Sequence, residues 1–91
     1  MRFMFFFLPS LPGTLEERRR LRPIAHHTER WQQMFHQITE LARMAEDFGF
    51  EAVGFPEHHL HTEGMEMGSL PVLYQHVIHH TTRLKVGPIG Y

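Results

Sequence analysis

The stretch AEDFGFEAVGFPEHH, residues 45 to 59, joins the end of a helix to a short strand and a charged loop. Its first residues complete an apolar helical stripe, and Gly49 stands where a left-handed turn commonly ends a helix. Residues 50–55 are short and apolar enough for a buried strand, which Pro56 ends. The loop then begins with Glu57. This order of helix, strand and polar loop is typical of one repeat of an α/β fold.

A helix is predicted before the strand, at about residues 29–48. Its apolar residues recur every three or four positions, which places them on one face. The stripe consists of Trp31, Met34, Phe35, Ile38, Leu41, Ala42, Ala45 and Phe48. Thr28 or a neighbouring residue is the predicted N-cap. Glu46 is among the polar residues that fall off the stripe.

A second helix, at about residues 70–82, is predicted after the histidine loop. Ser69 is its predicted N-cap, and Pro71 lies in its first turn. Its apolar face consists of Leu70, Leu73, Tyr74, Val77 and Ile78. The segment RLKVGPIG that follows predicts a strand at about residues 84–89.

The chain begins with an apolar run, which predicts a strand at about residues 2–8 buried on both faces. The order is therefore strand, helix, strand, helix, strand. The predicted fold class is α/β, a parallel β-α-β-α-β sheet with helical crossovers. Residues 9–28 are interpreted as a long connection. Within it, LEERRRLR (residues 15–22) is a solvated arginine-rich turn or, alternatively, an anion-binding site, because arginine matches the geometry of phosphate.

Composition excludes several classes of protein. Nine basic and ten acidic residues give a formal net charge of −1, so no global field favours nucleic acid or anionic membranes. The chain has no cysteine, which excludes disulfides and thiolate metal sites. No apolar run approaches the roughly 18 residues that span a bilayer. We expect a soluble, cytoplasmic protein with no nucleic-acid or membrane partner.

The loop FPEHHLHTEG, residues 55 to 64, contains three histidines and two glutamates. It follows the second strand, and the carboxyl ends of parallel strands are where the functional loops of α/β folds gather. A histidine here could transfer protons near neutral pH, with Glu57 fixing its tautomer or raising its pKa. Because neighbouring residues of an extended chain face opposite ways, we expect one of His58 and His59 to face the pocket and the other to orient it.

Two other interpretations of the histidines stay open. One is a metal site, since His59 and His61 have the alternate spacing that places two ligands on one side of a strand, and Glu63 could add an oxygen. The other is a polar surface loop without chemistry. His76 and His80, one helical turn apart, could also chelate a metal, but no HExxH pattern surrounds them. We expect these two on or beside the solvent face.

Three segments together resemble the N-terminal part of the bacterial luciferase-like flavin-dependent monooxygenases: MRFMFFFL (1–8), ELARMAEDFGFEAVGFPEHHLHTEG (40–64) and SLPVLYQHVIHHTTRLKVGPIG (69–90). The resemblance implies a (β/α)8 TIM barrel, of which this chain supplies the first three strands. It implies reduced FMN or a deazaflavin at the carboxyl mouth of the barrel. Dioxygen, a small organic substrate and a separate flavin reductase are the implied partners.

Position by position, the resemblance carries the family's EHH motif onto Glu57, His58 and His59. His58 then lies beside the flavin in an acid/base role. The stretch that lies against the flavin ring falls on Pro88, Ile89 and Gly90. Pro88 departs from the family pattern, in which smaller residues are commoner at that position.

A complete eight-unit barrel takes roughly 250 residues. We therefore expect the chain to be a fragment that is inactive alone. A dimer or a separate complementing chain that supplies the rest, and a degenerate relative with no activity, are the alternatives. A histidine-based metal-dependent hydrolase is the enzymatic alternative. It ranks lower because an HxH pair in such barrels typically follows the first strand rather than the second. A non-catalytic assembly module that uses its open sheet edges is the alternative outside enzymes.

Overall fold

The computed structural model describes residues 2–6, 8–59 and 69–88, at Pro88 the backbone only. The strands are β1 (Met4–Phe6), β2 (Ala52–Phe55) and β3 (Lys85–Pro88). The helices are α1 (Leu15–Arg20), α2 (Thr28–Asp47) and α3 (Leu70–His80), with a short 3-10 helix (Ile24–His26) between α1 and α2. All strands are parallel in the order β1-β2-β3, which confirms the predicted α/β fold class.

The register of the strands gives each face of the sheet its own row of residues. The row on the core face is Phe5, Val53 and Val86. The row on the opposite face is Phe6, Gly54 and Gly87. Met4 and Phe6 on this second face are each 47% exposed. The prediction of a first strand buried on both faces is therefore wrong, because the helices that form the core pack on one face.

Helix α2 carries the predicted apolar stripe, but the face that is buried is rotated around the helix axis and includes Glu46. The fully buried apolar residues are Met34, Ile38, Ala42 and Ala45. Leu41 and Phe48, both predicted on the stripe, are 38% and 73% exposed, whereas Glu46 is only 6% exposed. In helical projection, Leu41 and Phe48 lie on one border of the buried face and Glu46 on the other. The buried face of α2 is therefore rotated around the helix axis from the predicted stripe, away from Leu41 and Phe48 and toward Glu46. The predictions for these three residues are wrong for this one reason.

The two ends of α2 differ in how they are capped. The residue before the helix is His27, and no side chain accepts a hydrogen bond from the first turn, so the predicted cap by Thr28 or a neighbour is wrong. At the other end Gly49 has a φ of +90°, as predicted. Its N–H donates to the carbonyl of Glu46 at 3.1 Å. Only glycine adopts this backbone conformation without strain.

Helix α3 begins at Leu70 with Pro71 in its first turn, as predicted. Its buried residues are Leu70, Leu73, Tyr74 and Val77. Ile78, predicted on the same face, is 50% exposed. Ser69 occupies the N-cap position, but its side chain makes no capping hydrogen bond. The N-terminus of α3 is therefore capped by Glu57 rather than by Ser69.

The segment between β1 and α2 is folded, so its prediction as a long connection is wrong in part. Thr14 Oγ1 accepts from the N–H of Glu17 at 3.1 Å, and Glu17 Oε1 accepts from the N–H of Thr14 at 3.3 Å. This capping box starts α1, and its sequence signal is a threonine followed three residues later by glutamate. Leu11 and Ile24 on either side of α1 are fully buried and extend the core.

Candidate functional site

The carboxyl ends of β2 and β3 lie side by side, and the loop with the predicted catalytic residues leaves the sheet there. Phe55 pairs in register with Pro88, the last residue of β3. The chain then passes through a buried proline into residues 57–59. These residues follow the middle strand of the three, at the edge where parallel α/β folds carry their chemistry.

Glu57 anchors this loop to the start of α3. Its Oε1 accepts from the backbone N–H of Leu70 at 2.7 Å, and its side chain is only 10% exposed. The carboxylate therefore caps α3 from a position 13 residues earlier, where Ser69 provides no side-chain cap. A negative charge is stabilised there because the free N–H groups of a helix carry partial positive charge at its N-terminus.

The second oxygen of Glu57 binds a histidine. Oε2 lies 3.3 Å from Nε2 of His59, whose side chain is 64% exposed. Because a carboxylate accepts hydrogen bonds, the contact places a hydrogen on Nε2 of His59. The structure thus brings Glu57 and His59 together. His58, between them, is exposed.

The face of the sheet opposite the core carries two glycines, one residue before β2 and β3 end. Gly54 and Gly87 pair in register, so two neighbouring positions carry no side chain. A Cβ on Gly87 would lie 3.9 Å from Cε of Met4, so the methionine reaches across this face toward β3. Phe6 completes the row on β1. Of the two glycines, Gly54 is buried and Gly87 is partly buried.

Several predicted site residues lie outside the described residues. Ile89 and Gly90 are two of them, and only the backbone of Pro88 is described. His61 and Glu63, the further ligands of the alternative metal site, also lie outside. Among residues 2–6, 8–59 and 69–88, no three histidines or carboxylates are grouped so that they could hold a metal ion.

The second histidine pair links α2 to α3. His76 Nε2 lies 2.6 Å from Thr39 Oγ1 and donates to it, since the threonine hydroxyl donates to the carbonyl of Phe35. His80 Nδ1 donates to the carbonyl of His76 at 2.7 Å, and the two ring centroids are 4.4 Å apart. Burial lowers the pKa of His76, and the charges of His80 and His36 lower it further. Each ring thus has one nitrogen engaged within the protein, and both His76 and His80 are partly buried, beside the solvent face as predicted.

One buried carboxylate lies outside the predicted set. Glu46 accepts from the N–H groups of Thr82, Arg83 and Leu84 at 3.2, 2.8 and 2.7 Å and from the Thr82 hydroxyl at 3.0 Å. These hydrogen bonds, with that from Arg83 N–H foremost, lower the pKa of Glu46 to about 2. The burial of Glu46 has one signal in the sequence, which is its spacing. Glu46 lies four residues after the buried Ala42, and residues four apart lie on the same face of a helix.

Comparison with protein-family models matches residues 1–89 to the luciferase-like monooxygenases. The match spans the three strands, the folded segment before α2 and the loop that follows β2. No curated protein and no solved structure gives a significant match. The family resemblance of the three sequence segments is thereby confirmed, and the chain belongs to the luciferase-like monooxygenase family.

Proposed function

We propose that this chain carries part of the active site of a flavin-dependent monooxygenase. The site uses reduced FMN, or a deazaflavin, and inserts one atom of dioxygen into a small organic substrate. The observation that carries the proposal is the position of residues 57–59, which leave the carboxyl end of the middle strand beside the end of β3. Membership of the luciferase-like monooxygenase family supports the same chemistry.

The residues of the chain divide into a surface for the ring and a group that moves protons. Bound reduced flavin supplies the electrons that activate dioxygen. Gly54 and Gly87 pair on the face of the sheet opposite the core, and the family resemblance assigns Pro88, Ile89 and Gly90 to the stretch that contacts the flavin ring. His58 holds or releases a proton at a ring nitrogen, because histidine changes charge near neutral pH.

Glu57 and His59 act on the position of the loop. The carboxylate holds the loop to the first turn of α3 through the N–H of Leu70, and it fixes the His59 ring through Nε2. Both contacts restrict the backbone on either side of His58. Such restriction matters because proton transfer needs heavy-atom distances of about 2.6–3.2 Å.

The proposal includes a requirement for further barrel units. Met4 and Phe6 are half-exposed on the face that a barrel turns inward, and these residues would be buried by additional strands. We therefore expect no monooxygenase activity from the 91 residues alone. A complementing chain or a second copy would complete the site, and a flavin reductase would supply the reduced cofactor. No helix of the described part has the length and apolar character to cross a bilayer. We also propose that the protein is located in the cytoplasm.

The first experiment tests flavin dependence in the native assembly. The assembly is purified from its source cells through a tag on this chain, and binding of reduced FMN and of reduced deazaflavin is measured without oxygen. Isotope-labelled dioxygen is then supplied with a panel of aldehydes and sulfonates, and products are examined by mass spectrometry. We expect saturable binding of one reduced flavin and label in an organic product. Stoichiometric metal without flavin affinity would instead support the hydrolase alternative.

The second experiment tests the role of His58 in the same assembly. Replacing His58 with glutamine should lower kcat by about 100-fold or more, while the affinity for reduced flavin stays unchanged. The matched control is His79→Gln, which removes an exposed histidine from α3, away from the loop. Full activity of the His58→Gln assembly would refute the acid/base role.

A further inference from the structure

Two histidines in the second half of α3 have their rings side by side. His76 and His80 are four residues apart, so both side chains lie on the same face of the helix. Their ring centroids are 4.4 Å apart, with an angle of 36° between the ring planes. Two imidazoles that share one metal ion, each with a nitrogen about 2.1 Å from it, have ring centroids roughly 4.5–5 Å apart. The observed spacing of the two rings is therefore close to that of a pair that shares an ion.

The hydrogen bonds of the two rings decide which nitrogen of each ring carries a lone pair. Nε2 of His76 donates to the hydroxyl of Thr39 at 2.6 Å, because that hydroxyl itself donates to the carbonyl of Phe35. Nδ1 of His80 donates to the carbonyl of His76 at 2.7 Å. A neutral imidazole that donates from one nitrogen has a lone pair on the other. The lone pairs are therefore on Nδ1 of His76 and on Nε2 of His80.

This arrangement resembles the way in which proteins hold histidines that bind metals. Such a histidine usually donates its second N–H to a neighbouring acceptor, which fixes the tautomer and the orientation of the ring. For His80 the acceptor is a backbone carbonyl, and for His76 it is the hydroxyl of Thr39. Because Thr39 lies on α2, its hydrogen bond holds the His76 ring between two helices. An ion that binds here does not have to order that ring first.

Protons compete with metal ions for imidazole nitrogens, and the surroundings of His76 favour the neutral ring. Burial lowers the pKa of His76, and the charges of His80 and His36 lower it further. Since a metal ion binds the neutral imidazole, a lowered pKa raises the fraction of His76 that can bind at neutral pH. Arg43 reaches the same end of α3, but it donates to the backbone carbonyl of His80 and leaves the ring nitrogens of that residue to other partners.

The surroundings of the pair are open, and the ligands select one class of ion. Both histidines are partly buried, and His76 lines a hollow of about 630 Å³ together with Gln32, Phe35, His36 and Val72. In the part of the chain that the structure describes, no third histidine or carboxylate completes the pair, so water would fill the remaining coordination positions. Imidazole suits zinc, nickel and copper, whereas magnesium and calcium take oxygen ligands.

We propose that His76 and His80 form a binding site for a divalent transition-metal ion of the zinc, nickel and copper class. Nδ1 of His76 and Nε2 of His80 are the protein ligands, and solvent occupies the other positions. The site lies on α3 and uses none of residues 57–59. It does not depend on the flavin chemistry proposed for those residues, and its test uses binding alone.

The test titrates the 91-residue chain, freed of metal with a chelator, with Zn²⁺, Cu²⁺ and Mg²⁺ at neutral pH and follows binding by calorimetry. We expect saturable binding of Zn²⁺, tighter binding of Cu²⁺ and none of Mg²⁺. His76→Gln and His80→Gln should each weaken the binding of Zn²⁺ by about tenfold or more. Thr39→Val keeps both ligands and removes only the acceptor of the His76 N–H, so it should weaken binding by about tenfold.

His79→Gln is the matched control, because His79 is exposed on the same helix and its neighbour His80 is a proposed ligand. Its affinity for Zn²⁺ should equal that of the unmodified chain. Equal weakening in the His76, His79 and His80 variants would show only general attraction of histidines for the ion and would overturn the proposal. Unchanged affinity in both the His76 and the His80 variant would place the ion on other histidines and would also overturn it. So would the absence of saturable Zn²⁺ binding in the unmodified chain. Amide spectra of each variant establish that α3 remains folded.

Discussion

Two glutamates bind the two ends of α3, and they differ in the number of donors that each one meets. Glu46, on the last turn of α2, accepts from three consecutive backbone N–H groups after α3 and from the hydroxyl of Thr82. Glu57, after β2, accepts from the N–H of Leu70 and from His59. Glu46 is 6% exposed and the side chain of Glu57 is 10% exposed, so burial does not distinguish them.

The number of donors separates a structural carboxylate from one that can take part in chemistry. A carboxylate has about four lone-pair positions, and Glu46 uses them all within the protein. In the described part of the chain, Glu57 meets two donors, one of which is a histidine that can itself exchange a proton. The end of the sheet where β3 starts is therefore held by the hydrogen bonds of Glu46, whereas Glu57 makes the two contacts with Leu70 and His59 at the carboxyl end.

The largest effect on stability should come from Glu46→Gln. The new amide group places N–H donors against the N–H groups of residues 82–84, which leaves donors unsatisfied, among them the buried N–H of Leu84. We expect the Tm to fall by on the order of 10 °C, measured by thermal unfolding. Asp47→Asn is the matched control, since it removes the same charge from an exposed neighbour. Equal Tm values for the two variants would show that the donors around Glu46 contribute little.

The contribution of Glu46 to the stability of the fold depends on pH. Folding lowers the pKa of Glu46 from its ordinary value of 4.5 to about 2. The folded state thus binds fewer protons than the unfolded state in this range, so this stabilisation is complete above pH 4.5 and is lost as the pH falls toward 2. The Tm difference between the unmodified chain and Glu46→Gln should stay constant above pH 4.5 and shrink below it. A difference that persists unchanged at pH 2 would contradict this account.

The sequence predicts well the elements whose apolar residues recur at a regular spacing over many positions, and those whose ends carry a clear turn or capping residue. The helix α2 spans 20 residues, so its apolar period identifies it within one residue at each end. The strand order follows from two helical crossovers, and the position of Glu57 follows from the end of β2. By contrast, α1 has six residues, too few for a period, and only its capping box between Thr14 and Glu17 indicates a helix.

The contacts that the sequence does not predict join residues far apart in the chain. The donors of Glu46 lie 36 to 38 residues later, and the N–H bound by Glu57 lies 13 residues later. A polar residue on the border of an apolar stripe has no local signal for such partners. The pairing of Glu57 with His59 rather than His58 likewise depends on the path of the backbone after Pro56.

A smaller effect is expected at the other glutamate, and a double variant can separate its two roles. Glu57→Gln should remove the charged cap of α3 and lower the free energy of unfolding by about 1 kcal/mol. Adding Ser69→Asp places a carboxylate at the N-cap position itself, so the double variant should recover the Tm of the unmodified chain. In the native assembly, the double variant should stay impaired in turnover, because His59 still lacks its partner. Recovery of both Tm and turnover would make Glu57 a structural residue like Glu46.

The smallest effect concerns His76, midway along α3 between the two glutamates. Partial burial and the charges of His80 and His36 lower its pKa. Because the folded state binds this proton less readily than the unfolded state, stability should decrease as the pH falls below the ordinary pKa of 6.5. His76→Gln should therefore reduce the loss of Tm between about pH 7 and about pH 5 by a few degrees. His79→Gln, an exposed change on the same helix, should leave that loss unaltered. If the His76 variant also altered the acid transition below pH 4.5, the two ends of α3 could not be treated as independent of its middle.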